Sequence, residues 1–424
     1  MAEVTRRTLF GTAGLGLVAS AAAAQPAAGQ QEPQRLLGTV EGTQVSLPPL
    51  HAQTELSGQP PEPMPPGKRL GVAVVGLGHL AFEQILPAFG TAKGVRLAAL
   101  VSGERDKALA VAAQHGLDPR HIYDYAGFDR LRDDADVDIV YIVLPNSMHA
   151  EYTVRAAQAG KHVLCEKPMA TSAADCQHMI DACKAAGRKL MIAYRMQYEA
   201  TQRALITMAR GVEYGPVRFI QAVNVQNDAD NGQWRQNRAM SGGGSLPDVG
   251  LYCLNAFRYL TGEEPVSVTG LLTRPAGDKR FAEIEDGCSF TLTFPSGIVA
   301  TGLSAYSAHQ NRELRVMATE AWFGADPAFG YNNLVLQLGR RQGQANGVEQ
   351  RRFPPANQFA TEMDAFAQAI RTDAVPHTPG EEGLADQRVM EAIYRSAADG
   401  GAAVTLPRVA GLDTTRGPAP AEPG

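Results

Sequence analysis

Between residues 70 and 194 the sequence alternates short apolar runs with amphipathic segments, and this alternation is its most constraining feature. The apolar runs read LGVAVVG, VRLAALVS, VDIVYIVLP, HVLCEK and KLMIAY, without regular polar alternation. Strands that are buried on both faces have this composition, and they form parallel sheets whose crossover connections are helices. The pattern therefore predicts a Rossmann-type, doubly wound α/β domain over residues 68–193.

After residue 194 the pattern changes to one or two helices followed by alternating, β-branched runs. These runs include VRFIQAVNVQ, VSVTGLLTR and CSFTLTFPSGIVATGLSAYS, the last with a Pro-Ser-Gly turn between two strands. Such alternation is typical of antiparallel strands with one buried face. We therefore predict a C-terminal α+β domain with a large open, mostly antiparallel sheet over residues 194–406, and a disordered tail over residues 407–424.

The N-terminal 24 residues carry adjacent Arg6 and Arg7, then a Gly- and Ala-rich apolar stretch that ends in small residues. This layout is typical of a secretory signal peptide, and the paired arginines indicate twin-arginine export to the periplasm. An uncleaved membrane anchor is the alternative, although the stretch is short and only weakly hydrophobic for one. Residues 25–67 are predicted as a proline-rich arm, either a spacer or an ordered strap over a neighbouring subunit or a cofactor.

Charge and composition restrict the possible partners. A net charge of -5 and a pI near 6.0 do not fit a surface for polyanions, so no nucleic acid is expected as a partner. No run of about 20 apolar residues follows the N-terminal segment, so we expect no stable membrane insertion after signal cleavage. The five cysteines are an odd number for an exported protein and predict buried hydrophobic side chains, and no ligand spacing predicts a metal site.

A glycine motif connects the first predicted strand to the first predicted helix. Gly76 and Gly78, followed by Ala81, stand at that junction in VAVVGLGHLA. Gly76 permits a tight turn, and Gly78 allows the backbone to approach a pyrophosphate at the helix N-terminus. Because strand, turn and helix occur in this order, the motif predicts a dinucleotide-binding site.

The end of the second strand decides between NAD and NADP, because an acidic side chain there would bind the ribose hydroxyls of NAD. This sequence instead has Ser102 and Gly103, which place no negative charge beside a phosphate. Arg105 and Lys107 follow closely and can neutralise one. Glu104 is an alternative acid, but it begins a predicted helix, where carboxylates are common. The sequence thus favours NADP.

The apolar run HVLCEK ends in Glu166 and Lys167, and Pro168 follows. Ligands bind beyond the carboxyl ends of strands in such sheets, so Lys167 is predicted to reach into the cofactor cleft; a solvated surface turn is the alternative. A partner for the lysine occurs in GGGSLPDVGLY, where Asp248 and Tyr252 are four residues apart and would share one face of a helix. A tyrosine that is merely packed behind a glycine-rich loop is the alternative there.

Six motifs taken together resemble the Gfo/Idh/MocA oxidoreductase family: the glycine motif, LPNSMHAEY, CEKP, MIAYR, QWR and GGGSLPDVGLY. The likeness covers residues 71–406 and is strongest toward the exported sugar oxidoreductases of that family. It implies a cis Lys167–Pro168 bond, an acid/base role for Tyr252, and supporting roles for Lys167 and Asp248. The glycine motif and the resemblance together assign these cofactor contacts: Gly76, Leu77, Gly78, His79, Leu80, Ala81, Ser102, Gly103, Lys107, Tyr125, Leu144, Asn146, His149, Glu166, Lys167, Arg195, Trp234, Arg235 and Tyr331.

The chemistry that this resemblance implies is hydride transfer between a sugar and NADP. Tyr252 would take the proton of an aldose C1 hydroxyl while hydride leaves C1, and the product would be an aldonolactone. A free tyrosine titrates at about pH 10, and the ammonium of Lys167 close by would favour its phenolate. Asp248 would hold the pair in place.

Three functions stay open from the sequence. The first is a sugar–sugar oxidoreductase that keeps NADP bound and returns the hydride to a second sugar. The second is an ordinary aldose 1-dehydrogenase whose NADP dissociates, and the third is a non-catalytic exported sugar-binding protein. The expected partners are small sugars and further copies of the chain, because the family and the open sheet favour a homodimer or homotetramer.

Overall fold

The computed structural model describes residues 39–41, 44–46, 68–227 and 234–419. The chain divides into two compact units, Met1–Pro61 and Glu62–Gly424. In the first unit, strands β1 (Thr39–Glu41) and β2 (Gln44–Ser46) pair in antiparallel fashion. The predicted signal peptide over residues 1–24 and the rest of the proline-rich arm lie outside the described residues.

A six-stranded parallel sheet forms the first half of the second unit. Its strands are β3 (Leu70–Val75), β4 (Val95–Val101), β5 (Ile122–Tyr123), β6 (Ile139–Ile142), β7 (His162–Glu166) and β8 (Leu190–Ala193). Their order is β5-β4-β3-β6-β7-β8, with neighbouring strands parallel. The central strands are buried on both faces, as their continuous apolar runs require. The predicted Rossmann-type sheet is therefore confirmed.

Helices and short turns connect these strands. The α-helices are α1 (Leu86–Ala88), α2 (Arg105–Gln114), α3 (His149–Gln158) and α4 (Ala173–Ala185). A π-helical turn precedes α1 and 3-10 turns occur nearby, at Ala81–Ile85, Pro119–His121, Phe128–Asp133 and Asn146–Met148. Helix α4 begins where the Ser172 hydroxyl accepts the amide hydrogen of Asp175, which satisfies one backbone donor of the first turn.

A nine-stranded sheet forms the second half of this unit. Its strands are β9 (Val217–Asn227), β10 (Ser267–Thr273), β11 (Gly287–Thr293), β12 (Val299–Ala305), β13 (Ser307–Ala318), β14 (Ala321–Ala325), β15 (Leu336–Gln342), β16 (Ala345–Arg351) and β17 (Val404–Thr405). The order is β16-β15-β14-β13-β9-β12-β11-β10-β17. Strands β9 and β12 are parallel and the other described neighbours antiparallel, which confirms the mostly antiparallel sheet.

Five α-helices accompany the second sheet. They are α5 (Ala200–Arg210), α6 (Arg238–Ser241), α7 (Leu251–Thr261), α8 (Gln358–Arg371) and α9 (Gly380–Ala398). Turns of 3-10 geometry occur at Arg195–Tyr198, Trp234–Gln236, Lys279–Phe281 and Leu412–Thr414, and a π-helical segment, Leu246–Gly250, leads into α7.

Helix α8 comes between strands β16 and β17 of the second sheet in the chain, yet it packs against the first sheet. Its apolar side chains share one buried cluster with that sheet: Phe359, Met363, Phe366, Val72 and Val74. Asp364 on the same helix accepts the amide hydrogens of Lys93 and Gly94. The boundary predicted at residue 193 therefore does not separate two independent cores.

Residues 407–419 do not form the disordered tail that the sequence predicts. Leu412 is buried, and the Arg416 guanidinium pairs with the Glu382 carboxylate at 2.7 Å. The amide of Gly417 donates to the Pro376 carbonyl. These partners are distant in sequence, so local composition gives no sign of them.

Two further predictions concern the membrane and the cysteines. Among the residues that the structure describes, no helix has the length and hydropathy of a membrane span. All five cysteines are free, buried thiols.

Candidate active site

The glycine motif shapes the first part of the candidate site. Gly76 has φ +97°, and an added Cβ would lie 2.3 Å from the Val143 carbonyl oxygen, so only glycine fits there. At Gly78 an added Cβ would meet no atom within 4 Å. The backbone thus faces open space at the strand-to-helix junction, and this space fits a pyrophosphate.

The other residues of the motif divide between core and solvent. Leu77 and Ala81 are buried, and Leu80 is partly buried. The His79 side chain is almost fully exposed, with its Nδ1 atom 3.4 Å from a Glu83 carboxylate oxygen. A ligand at this motif would therefore be contacted mainly by backbone groups and not by side chains.

The end of strand β4 fits the adenosine phosphate of NADP. The buried Ser102 hydroxyl accepts the amide hydrogen of Glu104 at 3.1 Å. An added Cβ at Gly103 would lie 3.2 Å from the Tyr125 ring, so the glycine lets this ring approach the backbone. The Lys107 ammonium is 2.7 Å from the Glu104 carboxylate. Glu104 is therefore paired with a cation and does not stand alone, as an NAD-selecting acid would.

The segment after strand β6 joins the two halves of the site. The Asn146 side-chain amide donates to the Ser241 carbonyl at 2.8 Å. His149 is fully buried, with its ring nitrogens 2.9 Å from the carbonyl oxygens of Leu144 and Pro168. Burial lowers the pKa of His149 below its ordinary value. Both ring nitrogens lie against backbone carbonyls, so the imidazole fixes the two segments that carry the site, and its contact with the cofactor stays a prediction.

Lys167, Asp248 and Tyr252 come together in the structure. The Lys167 ammonium donates to the Asp248 carbonyl at 2.7 Å and to its carboxylate at 3.3 Å, and it lies 4.5 Å from the Tyr252 ring centroid. The Lys167–Pro168 bond is cis, as the resemblance implies. Burial by itself would lower the pKa of Lys167, but its electrostatic interactions with Tyr252, Asp248 and Glu166 raise it above its ordinary value. The lysine is therefore a charged ammonium at neutral pH.

Asp248 has two further partners. The Arg235 guanidinium lies 3.2 Å from one carboxylate oxygen, and the Tyr306 hydroxyl donates to the same oxygen at 2.8 Å. Burial alone would raise the pKa of Asp248, but the charges of Arg235 and Lys167 and the hydrogen bond from Tyr306 hold it well below its usual range. Asp248 is thus a permanent carboxylate that links two cations.

Arg195 provides a second positive charge at the Tyr252 hydroxyl. Its Nε atom donates to that hydroxyl oxygen at 3.2 Å, and its guanidinium lies 4.8 Å from the ring centroid. The remaining guanidinium hydrogens are held by three acceptors: the carbonyls of Phe329 and Gly330 and the side chain of Gln358. Arg195, which the sequence predicts as a cofactor contact, therefore lies directly against the Tyr252 hydroxyl.

The backbone between Asp248 and Tyr252 is less regular than predicted. Asp248 lies in the π-helical segment, and Tyr252 in the first turn of α7. The glycines upstream allow close packing, since an added Cβ at Gly243 or Gly244 would lie 1.9 Å from Tyr394 or from the Glu285 carbonyl. These glycines bring the segment against the protein itself, which turns both functional side chains into the cleft.

Two aromatic residues that the sequence predicts as cofactor contacts, Tyr331 and Trp234, lie at the rim of the candidate active site. Tyr331 is partly exposed, and the Arg195 guanidinium lies 4.4 Å from its ring centroid. The Trp234 ring lies 4.6 Å from the Arg235 guanidinium. Both rings therefore flank the two arginines and are open to a ligand.

Sequence reasoning missed three residues around the site. Tyr306 follows strand β12 and donates to Asp248. Tyr141, inside strand β6, contacts both the predicted Glu166 and the unpredicted Glu362. Tyr141 could have been found from the sequence, because it is a tyrosine within an otherwise aliphatic strand. Glu362 could not, because nothing in the sequence of its amphipathic helix distinguishes it from a surface glutamate.

One cluster has the composition of a metal site. In the described part of the chain, His121, Asp134 and Asp136 bring their ligand atoms within 4.8 Å of one another. Arg120 already donates to the imidazole, and Arg96 to the Asp136 carboxylate. These cations occupy the place of a metal ion, so we assign no metal there.

The fold and the site define a dinucleotide-dependent oxidoreductase, and comparisons with known proteins agree. The model "Oxidoreductase family, NAD-binding Rossmann fold" matches residues 70–194, and "GFO/IDH/MocA C-terminal domain" matches residues 203–323. The chain is 32% identical over 338 residues to D-xylose 1-dehydrogenase (NADP+) of Haloarcula marismortui, which covers 76% of this chain and 90% of that protein. The chain belongs to the Gfo/Idh/MocA oxidoreductase family.

Two other relatives narrow the chemistry. Identity to 1,5-anhydro-D-fructose reductase of Ensifer adhaerens is 28% over 336 residues, or 78% of this chain and 97% of that protein. A crystal structure of aldose-aldose oxidoreductase from Caulobacter crescentus, complexed with glycerol, is 45% identical with a TM-score of 0.76, covering 80% of this chain and 100% of that one. The protein is an NADP-dependent oxidoreductase that acts on CH–OH groups of sugars.

Proposed function

We propose that the chain is a sugar–sugar oxidoreductase that keeps NADP bound throughout turnover. It oxidises an aldose at C1 to an aldonolactone and returns the hydride to a second sugar, either fructose or another aldose. The observation that carries this proposal is the Tyr252 phenol held between two cations, the ammonium of Lys167 and the guanidinium of Arg195. The aldose-aldose oxidoreductase with 45% identity supports the reaction class.

In the first half-reaction, Tyr252 accepts the proton of the C1 hydroxyl as the C1 hydride leaves. NADP, when bound, supplies the hydride acceptor. Lys167 and Arg195 stabilise the phenolate before the transfer, and Lys167 has a third hydrogen free to orient the sugar oxygen. Asp248 holds Lys167 from one side and Arg235 from the other.

In the second half-reaction the same groups run in reverse. Tyr252 gives its proton to the carbonyl oxygen of the second sugar while hydride returns to the carbonyl carbon. Proton and hydride are both retained between the two steps, so no net exchange with solvent is required. We propose that NADP is held by the predicted residues of the glycine motif, the Ser102 and Lys107 segment, and the rim formed by Trp234 and Tyr331.

The test uses purified full-length protein that is first dialysed extensively. We expect nicotinamide absorbance to persist, an aldose to reduce the bound cofactor, and a second sugar to reoxidise it in the same sample. Loss of the cofactor on dialysis, with turnover restored by added NADP, would contradict tight binding while preserving the oxidation step. No reduction by any sugar would overturn the proposal.

An NADP-dependent aldose 1-dehydrogenase is the second candidate. The relative from Haloarcula marismortui, named D-xylose 1-dehydrogenase (NADP+), favours it. Steady-state oxidation of one aldose with stoichiometric accumulation of free NADPH would identify this reaction. A sugar–sugar oxidoreductase accumulates no free NADPH when the second sugar is present.

We further propose that the protein is exported to the periplasm by the twin-arginine route. Arg6 and Arg7 ahead of a short apolar stretch support this. Cell fractionation should find the wild-type protein in the periplasm and the double variant Arg6→Lys, Arg7→Lys in the cytoplasm. The same distribution of the two proteins between periplasm and cytoplasm would contradict the proposal.

A homo-oligomer, either a dimer or a tetramer, is also proposed. The outer face of the large sheet exposes Phe219, Leu271 and Leu303, and register places Leu271 and Leu303 on opposite sides of Ser289. Sedimentation should give at least a dimer, and Leu303→Glu should shift it toward monomer. The control Val212→Glu alters a residue that is 95% exposed outside the sheet and should change nothing.

A further inference from the structure

A tyrosine inside the first sheet connects two buried carboxyl groups. Tyr141 on β6 is fully buried, and its hydroxyl oxygen lies 2.9 Å from a Glu166 oxygen and 3.1 Å from a Glu362 oxygen. Glu166 ends strand β7 beside Lys167, whereas Glu362 comes from helix α8. Three elements that are far apart in sequence therefore meet at one phenol.

The two contacts require two hydrogens. A phenol donates one hydrogen and accepts with its oxygen, while an ionised carboxylate only accepts. If both carboxyl groups were ionised, one of the two oxygen–oxygen gaps would hold no hydrogen, and two buried negative charges would share a water-free site. The second hydrogen must therefore belong to one of the carboxyl groups.

The surroundings decide which carboxyl group carries it. The second oxygen of Glu166 accepts the Lys167 amide hydrogen at 3.3 Å, but the second oxygen of Glu362 has no partner among the described residues. Burial and the charge of Glu166 raise the pKa of Glu362 well above its ordinary value, against the opposing effects of Tyr141 and Arg195. Burial also raises the pKa of Glu166, but Lys167, Tyr141 and Arg195 oppose that rise. The proton thus resides on Glu362.

We propose that Glu362 is a positioning residue that donates its proton to Tyr141, which in turn donates to the Glu166 carboxylate. The three side chains form a relay of two aligned hydrogen bonds and carry one negative charge, on Glu166. Hydrogen bonds in such a chain strengthen one another in a low-dielectric site, so the Glu362 proton stabilises the charge of Glu166. This part of the inference concerns the protein alone.

The functional consequence rests on the proposed role of Tyr252 as the base. The Glu166 charge interacts with both cations that favour the phenolate, Lys167 and Arg195. A second charge on Glu362 would weaken the pull of these cations on the phenol. Glu362 therefore keeps the charge balance around Tyr252 without touching the reacting atoms.

The first experiment needs no substrate. Infrared spectra of the purified full-length protein without added sugar, with glutamate carboxyl carbons isotopically labelled, should show the carbonyl band of a protonated acid at neutral pH. The wild-type minus Glu362→Gln difference spectrum should contain this band. Its absence from the difference spectrum would overturn the proposal whether or not the protein turns over sugars.

The second experiment compares two variants of one residue. Glu362→Leu removes the donor to Tyr141, so we expect the Glu166 carboxyl to titrate about one pH unit higher and the acidic limb of the kcat/KM profile to move with it. Glu362→Gln restores an N–H donor and should return both midpoints to within about 0.3 units of wild type. Equal shifts in both variants would show that a hydrogen-bond donor at this position has no effect on Glu166, and would refute the relay. A titration shift without any change in the kcat/KM profile would refute only the link to Tyr252.

Discussion

Two charge clusters lie at opposite ends of helix α7, and they are built differently. The catalytic cluster consists of Lys167, Arg195, Arg235 and Asp248 around Tyr252. The sealed cluster consists of Arg258, Glu264, Glu382, Asp386 and Arg416, whose ion-pairing side chains are at most 8% exposed. Asn255, one turn after Tyr252, donates to Glu382 and Asp386 and connects the two.

The difference lies in what each cation faces. In the sealed cluster, Arg258 pairs with Glu264 and Asp386, and Arg416 pairs with Glu382. In the catalytic cluster, two cations lie against the Tyr252 phenol, a group that changes its charge when it takes or gives a proton. Cations that face carboxylates hold a fixed arrangement of charge, whereas in the proposed mechanism cations beside the Tyr252 hydroxyl stabilise the phenolate that accepts the substrate proton.

The largest effect is expected from Tyr252→Phe. The change removes the acid/base hydroxyl but keeps the ring, so kcat should fall by about 10²–10⁴-fold while NADP stays bound and the fold is unchanged. Single-turnover reduction of the bound cofactor measures the loss. The control Tyr214→Phe alters a buried tyrosine that packs on Phe323 and should keep wild-type rates. Turnover by Tyr252→Phe within tenfold of wild type would contradict the assigned role.

Arg258→Met should lower the stability of the protein, whereas Tyr252→Phe lowers the reaction rate and leaves the fold unchanged. It leaves Glu264 and Asp386 without their shared cation in a site closed to water, at a cost of about 3–5 kcal/mol in the free energy of unfolding. Urea unfolding measures the loss. The matched control Arg351→Met breaks the half-exposed pair with Glu349 and should cost less than about 1 kcal/mol.

Arg416→Gln tests whether the C-terminal segment belongs to the sealed cluster. Glu382 would lose its ion pair but keep hydrogen bonds from Gln197 and Asn255, so we expect a loss of about 2 kcal/mol. Thermal unfolding compares this variant with Arg408→Gln, which changes an exposed arginine of the same segment. Equal melting temperatures would show that the segment contributes nothing.

The smallest expected effect is a pH dependence. Burial, opposed by Arg258 and aided by Glu382, raises the pKa of Asp386 to about 6. A raised carboxyl pKa contributes stability that is complete below the unfolded pKa of about 4 and is lost as pH rises through 6. Asp386→Asn removes this titration. The free energy of unfolding of the variant, relative to that of the wild type, should therefore rise by about 1–3 kcal/mol as the pH increases from 4 to 7. If the free energies of unfolding of the two proteins changed in parallel with pH, the raised pKa of Asp386 would be excluded.

The local parts of the fold and site were predictable from the sequence. The parallel sheet followed from continuous apolar runs, and the nucleotide turn from Gly76 and Gly78, because both signals lie within one strand and its turn. The meeting of Lys167 with Tyr252 followed from the family resemblance, and the distances agree with it.

The parts that depend on long-range packing were not predictable. Glu362 and Asp386 sit in amphipathic helices whose sequences do not say which surface they cover. Tyr306 reaches Asp248 because strand β12 packs against the segment that carries Asp248, a long-range contact that no periodicity encodes. Arg416 lies in a Pro- and Gly-rich segment that resembles a free terminus until its partner Glu382 is known.

The packing of helix α8 against the first sheet sets a limit on how such enzymes can be recombined. A chimaera joined near residue 194 would combine one parent's nucleotide-binding strands with another parent's helix α8, and the two apolar surfaces would not match. During synthesis on the ribosome, likewise, the apolar face of the parallel sheet that α8 covers stays uncovered until residue 371, the last residue of this helix, has been synthesised. Loading of the cofactor should therefore follow the folding of helix α8 onto the sheet.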